Sequence, residues 1–299
     1  MIIGLDIGGT KCTVIRASDD GIIQESIRFA TTTVQETLAN LYKAVEQLGP
    51  DDHPLFGIAC GGPMDASRGI ILSPPNLPGW DHIPITSELE RRFGGRAFLK
   101  NDANACALAE WTFGAGRGTR NMVYLTHGTG MGAGLILDGR LYEGTTGDAG
   151  EVGHIRLAPT GPVGYGKAGS FEGFCSGGGI ARLACGRVPG MDAPSAKELA
   201  EAADSGNPEA IAIWEESGRY LGRALAIIID LFNPEVIVLG SLYTRSGHLL
   251  ERSMRSTLAE EALAGPLAAC RIVPAALGEQ TGSLSAIAVA HYRASHTED

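Results

Sequence analysis

Short apolar runs of strand length occupy residues 1–5, 12–16, 21–29, 55–59 and 96–100, the pattern of half-buried or central strands. Between the third and fourth runs the period changes. Val34, Leu38, Leu41, Val45 and Leu48 recur at helical spacing behind Thr33-Val34-Gln35-Glu36, and Gly49-Pro50 follows them. A capping box, an apolar stripe and a stop predict a helix there. Residues 104–113 predict another, and Gly114-Ala115-Gly116-Arg117-Gly118 after it reads as a domain boundary and hinge.

The second half repeats the order and then changes character. Strands are predicted at 122–126, 134–137, 140–142 and 236–239, and helices at 196–203, 208–232, 249–263 and 284–292. An internal echo links the halves: Leu5-Asp6-Ile7-Gly8-Gly9-Thr10-Lys11 leads into a strand and a tight turn, as does Thr126-His127-Gly128-Thr129-Gly130-Met131-Gly132. The expected fold is α/β in two duplicated lobes, 1–115 and 116–299, with a cleft between them and a helix at about 282–295 packing back on the first lobe.

Composition narrows the function classes. The 299 residues carry a formal charge of −10 and no basic stretch, which excludes a nucleic-acid partner. No apolar run approaches the roughly 20 residues of a membrane span. With no leader pattern at Met1-Ile2-Ile3-Gly4-Leu5 and six scattered cysteines, a cytoplasmic protein with reduced thiols is expected. Glycine is the outlier: 42 residues, about twice the usual share of roughly 7%.

Those glycines concentrate in turns where backbone N–H groups can converge on an anion. Gly8, Gly9, Thr10 and Lys11, with Gly128, Thr129 and Gly130, suit a polyphosphate; plain hairpin turns are the alternative for either one alone. Two nucleotide motifs nearly match and are rejected. A strand pattern follows Gly128–Ala133 where a dinucleotide fingerprint needs a helix, and Ala168 replaces the Ser or Thr of a P-loop after Gly161–Lys167.

Lys100-Asn101-Asp102-Ala103-Asn104 lies at a strand-to-helix junction, where Asp102 is a candidate general base and either Asn101 or Asp102 a plain helix cap. Glu151 and His154 stand three apart in a Gly-rich segment, and Asn76, Trp80 and Glu172 add an amide, an aromatic ring and a carboxylate. Amides, carboxylates and a ring suit a neutral polyol.

In this order the motifs resemble the ROK family of sugar kinases, which has the two-lobed actin-like ATPase (ribonuclease H-like) fold. The likeness runs from Asp6-Ile7-Gly8-Gly9-Thr10-Lys11 to Asn233-Pro234-Glu235-Val236-Ile237-Val238-Leu239-Gly240, over nearly the whole chain. It implies ATP and Mg2+ as cofactors, a hexose as substrate and a homodimer as assembly. Asp102 then matches the base, and Asn76, Asn101, Glu151, His154 and Glu172 match the sugar contacts. Gly8, Gly9, Thr10, Lys11, Gly128, Thr129 and Gly130 match the phosphate turns, Gly177, Gly178 and Gly240 border the adenosine, and Asp6 lies near the metal.

The chain departs from the family twice. Members commonly carry a cysteine-rich zinc motif after the Gly-His pair, whereas residues 161–171 contain no cysteine, so no zinc site is expected. The adenosine-side glycine pair is reduced to Gly240-Ser241. The rival readings are a sugar-responsive regulator of the same family, in which a DNA-binding domain precedes the first loop that here begins at Asp6, and a non-kinase actin-like ATPase.

Overall fold

The computed structural model describes residues 1–296, which divide into two units, residues 1–117 with 277–296 and residues 118–276. In the first unit, strands β1 (Ile2–Ile7), β2 (Lys11–Ala17) and β3 (Ile23–Ala30) precede helix α1 (Val34–Leu48) and strand β4 (Leu55–Cys60). A small hairpin of β5 (Met64–Asp65) and β6 (Ile70–Ile71) follows, then helix α2 (Ile85–Phe93), strand β7 (Arg96–Asn101) and helix α3 (Asp102–Thr112). The sheet order is β3-β2-β1-β4-β7; β1, β2 and β3 pair antiparallel, and β1, β4 and β7 pair parallel.

Residue pattern explains the layering. The central strands β1 and β4 are almost wholly buried, whereas the edge strand β3 alternates toward solvent. The C-terminal helix, Thr281–Ser295, lies directly on β1 and β4, and the paired residues Gly4 and Gly57 make that approach possible. A Cβ on Gly57 would stand 1.9 Å from the carbonyl oxygen of Ala286. Parallel register brings the carboxyl ends of β1, β4 and β7 level, with Asp6 opposite Ala59 and Cys60 opposite Asn101. Ligands of open α/β sheets bind at that end.

The second unit contains β8 (Met122–Leu125), β9 (Ala133–Leu137), β10 (Arg140–Tyr142), the hairpin β11 (Val163–Gly164) and β12 (Lys167–Ala168), and helices α4 (Phe171–Cys175), α5 (Gly177–Ala184), α6 (Ala196–Asp204) and α7 (Pro208–Phe232). Strand β13 (Val236–Leu239), helices α8 (Ser241–Glu261) and α9 (Ala264–Ala269) and strand β14 (Arg271–Pro274) complete it. Its sheet, β10-β9-β8-β13-β14, repeats the first in order and in strand direction. Each unit has its own core, one around Phe56 and Trp80 and the other around Phe171, Phe174 and Trp214.

Local differences from the sequence reading have clear causes. Helix α8 begins at Ser241 rather than near 249, because two helical pieces join across a kink at Ser246. Helices α4 and α5 were not expected, since Gly177-Gly178-Gly179 is poor helix sequence; Ser170 and Ser176 start them by accepting the N–H groups of Gly173 and Gly179. No helix among the described residues is long and apolar enough to cross a membrane.

Candidate active site

Where β7 ends and α3 begins, two adjacent polar residues divide two tasks. Asn101 Oδ1 accepts the N–H of Asn104 at 2.8 Å and caps the helix. Asp102 is thereby released from capping; its Oδ1 accepts the N–H of Ala103 at 2.8 Å. The Asp102 carboxylate lines a cavity of about 200 Å³ together with Asp6, Gly8, Gly9 and Asn76. Asp102 is open to that cavity while protein surrounds its other sides, and burial raises its carboxyl above the ordinary range, against the pull of the Ala103 N–H.

Asp6 is raised as well, by burial first; Lys11 and Arg28 oppose the shift and Asp102 adds to it. Cys60 lines the same cavity, and burial, then Asp102, pushes its thiol up to about 12. It stays protonated at neutral pH and is no nucleophile. Two further lining residues, Gly282 and Ser285, come from the C-terminal helix. A Cβ on Gly282 would stand 2.6 Å from Asp6 Oδ2, so glycine there lets the helix start reach the carboxylate.

The first glycine turn is held by backbone: Gly8 N–H donates to Lys11 C=O at 3.1 Å, and Thr31 N–H donates to Thr10 C=O at 3.1 Å. Gly8 and Gly9 do not have positive φ. Glycine is required at residue 9 by space instead, because a Cβ would stand 2.4 Å from the carbonyl oxygen of Asn76. The turn therefore packs straight onto the Asn76 segment. Thr10 and Lys11 are exposed and lie outside the cavity lining. Trp80, read from sequence as a ring for a polyol, is 1% exposed and belongs to the core.

The second glycine turn joins β8 to β9 and is gripped from several directions. Gly177 N–H donates to Gly128 C=O at 2.8 Å and Gly178 N–H to Thr129 C=O at 3.3 Å, so these N–H groups hold the turn itself. Gly240 N–H donates to Leu125 C=O at 2.8 Å at the adjacent strand end. Met131 N–H donates to Glu172 Oε2 at 3.1 Å, and a Cβ on Gly130 would meet that same oxygen at 3.0 Å. Positive φ at Gly130 is not the reason for its glycine.

Around Glu172 the second unit gathers the other expected polar residues. Glu151 precedes the turn Val152–His154 and His154 ends it, and Tyr165 stands beside both: its ring meets His154 edge-on at 5.8 Å, and Glu151, ahead of burial and Glu172, raises its phenol. Residues 161–167, rejected above as a P-loop, form the β11–β12 hairpin.

The zinc that family members commonly hold does not fit here. Residues 161–171 supply no thiolate, His154 Nδ1 accepts a hydrogen bond from Lys167, and the described residues contain no group of three His, Cys, Asp or Glu side chains able to hold a metal. Structural zinc needs about four N or S ligands. The purified protein is therefore expected to hold no stoichiometric zinc and to keep its Tm in chelator; one tightly held zinc per chain by elemental analysis would overturn this.

Sequence reasoning missed three contributors. Gly282 and Ser285 reach the Asp102 cavity from the far end of the chain, and no local pattern marks them. His127, at positive φ in the second glycine turn, is wholly buried with Nε2 3.0 Å from Cys175 C=O, and burial pushes it down to about 4. A neutral ring donating from Nε2 ties the turn to the end of α4. The signal available was a lone His inside a glycine run.

Comparisons with known proteins bear on this geometry. The sequence model of the ROK family matches residues 2–293. A glucokinase from Thermotoga maritima is 32% identical, over 96% of this chain and 96% of its own. A ROK family glucokinase from Streptomyces griseus, solved in complex with glucose and AMPPNP, is 31% identical with a TM-score of 0.75, covering 95% of this chain and 97% of that one. A ROK family transcriptional regulator, a homologue of the E. coli MLC protein, is 26% identical with a TM-score of 0.85, covering 97% of this chain and 78% of that one.

Proposed function

The chain belongs to the ROK family, with its two-lobed actin-like ATPase fold, and from that premise we propose that it transfers the γ-phosphoryl group of ATP to a hydroxyl of a hexose. The observation that carries the reading is Asp102: freed from capping by Asn101, raised by burial, and lining one cavity with Asp6 and Asn76. A carboxylate tuned upward is suited to take a proton from a neutral hydroxyl.

The sugar oxygen bonds to the γ-phosphorus as its proton passes to Asp102, and the bond from that phosphorus to the β-phosphate oxygen breaks, releasing ADP. Such transfers depend chiefly on positioning and charge stabilisation. Asn76, Asn101, Glu151, His154 and Glu172 orient the sugar in this reading; Asn101 contributes its amide N–H group, its oxygen being engaged in the cap. The turns Gly8–Lys11 and Gly128–Gly130 receive the phosphates, and Gly177, Gly178 and Gly240 border the adenosine side. A single carboxylate fits Mg2+, which keeps most of its waters and takes its other oxygens from phosphates. Asp6 would hold it through water, and the ion would neutralise phosphate charge.

The glucokinase relatives make glucose the first acceptor to test. Likeness to a regulator favours a second reading, a sugar-responsive regulator without turnover. ADP release measured over a panel of hexoses with MgATP separates them: the kinase reading expects sugar-dependent release with at least one hexose. Sugar binding with no release from any member of the panel would favour the regulator.

A further inference from the structure

We propose that Lys167 is a positioning residue for sugar recognition, fixing the His154 imidazole so that its Nε2–H is presented to the substrate. The inference rests on the reading of His154 as a sugar contact and goes beyond it.

The hairpin β11–β12 carries the device. Its turn, Tyr165-Gly166, has positive φ at both residues, 51° and 71°, the geometry of a tight two-residue hairpin. This turn brings Lys167 back over His154. Lys167 Nζ donates to His154 C=O at 2.8 Å and lies 3.1 Å from His154 Nδ1. An ammonium only donates, so Nδ1 must accept, and the ring proton resides on Nε2. Tyr165 closes on the ring edge-on at 5.8 Å, so backbone, ring nitrogen and ring edge of one histidine are all held by one hairpin.

The same hairpin bears on a second expected sugar contact. A Cβ on Gly164 would stand 2.9 Å from the Cβ of Glu172, so the hairpin backbone lies directly on that residue. Its base is fixed independently of Lys167. Gly169 N–H donates to Pro162 C=O at 3.1 Å, Leu157 N–H donates to Gly169 C=O at 2.8 Å, and Ser170 Oγ donates to Gly164 C=O at 3.0 Å. Removing the ammonium should therefore free the imidazole without unfolding the hairpin.

Lys167→Met in the full chain tests this by two readouts. The first is imidazole 15N NMR at about pH 8, above the usual histidine range, with the His154 signals assigned through His154→Gln. The parent protein should present the Nε2–H tautomer at His154, and Lys167→Met should give a tautomer mixture. The second is kinetic. Sugar KM should rise about tenfold, as loss of a charge-assisted bond predicts, with ATP KM within about twofold and Tm nearly unchanged. An Nδ1–H tautomer in the parent, an unaltered tautomer in the variant, or an unchanged sugar KM would overturn the proposal. So would a parallel loss of Tm and of both KM values, the mark of a purely structural lysine. If no hexose is phosphorylated at all, the kinase reading fails, while the NMR comparison still decides the role of Lys167.

Discussion

Asp102→Asn is expected to lower kcat by roughly 10²-fold or more, the usual cost of losing a general base, while sugar KM changes little. Asparagine keeps the oxygen that accepts the Ala103 N–H, and Asn101 still caps the helix. The stability change should have the opposite sign. Burial holds the Asp102 carboxyl above its ordinary value, so the folded state binds this proton more tightly than the unfolded chain. The ionised carboxylate thus opposes folding once pH has risen past the folded value. At neutral pH the variant should therefore have a Tm equal to or above that of the parent, while turnover collapses. In the parent, kcat should fall on the acid side as Asp102 takes up its proton, at a pH above the ordinary carboxylate range, and the variant's residual rate should lack that limb. Near-normal turnover in Asp102→Asn would remove the residue from the chemistry.

Gly9→Val should be nearly as damaging, for a steric reason. The added Cβ would meet two atoms of Asn76, its carbonyl oxygen at 2.4 Å and its Cβ at 2.8 Å. Neither is the tip of a flexible side chain, so the turn and the Asn76 segment must part. Misplacement of about 1 Å can cost on the order of 10²-fold, and kcat/KM is expected to fall by that order for ATP and for sugar alike. The joint loss is the informative part, because the turn assigned to phosphate rests on the residue assigned to sugar. Steady-state kinetics on a variant whose circular dichroism matches the parent would check it. Loss confined to ATP would mean that the turn and Asn76 act independently.

The legible parts of this molecule were those written in local pattern. Apolar runs marked β1, β2, β4 and β7, the Thr33 cap and apolar stripe marked α1, and two similar Gly-rich turns marked the repeated sheet order. Asp102 was legible as a carboxylate at a strand-to-helix junction, but which of two neighbours caps the helix is decided only by side-chain direction. Trp80 has the composition of a sugar platform and the burial of a core residue. The glycine turns were read through backbone freedom, whereas Gly9 is there because the Asn76 backbone and Cβ crowd it.

What was illegible depends on contacts distant in sequence. A helix at about 282–295 on the first lobe is among the sequence expectations, but nothing in the sequence marks Gly282 and Ser285 as residues that line the cavity at the Asp6 end of β1, an approach that paired glycines on two separate strands allow. Lys167 meets His154 only because Tyr165 takes up positive φ. Nothing in Val163-Gly164-Tyr165-Gly166-Lys167 announces that turn, since the usual signals are Asn-Gly and Asp-Gly.

Phosphoryl transfer to a sugar is measured most directly by 31P NMR of the protein with MgATP and glucose, followed to completion. One hexose phosphate should form for each ADP, with no inorganic phosphate released and no product from Asp102→Asn on the same timescale. If glucose is not accepted, the same balance must appear with another hexose from the panel. ADP and inorganic phosphate accumulating together, with no sugar phosphate from any hexose, would contradict it and leave an ATPase.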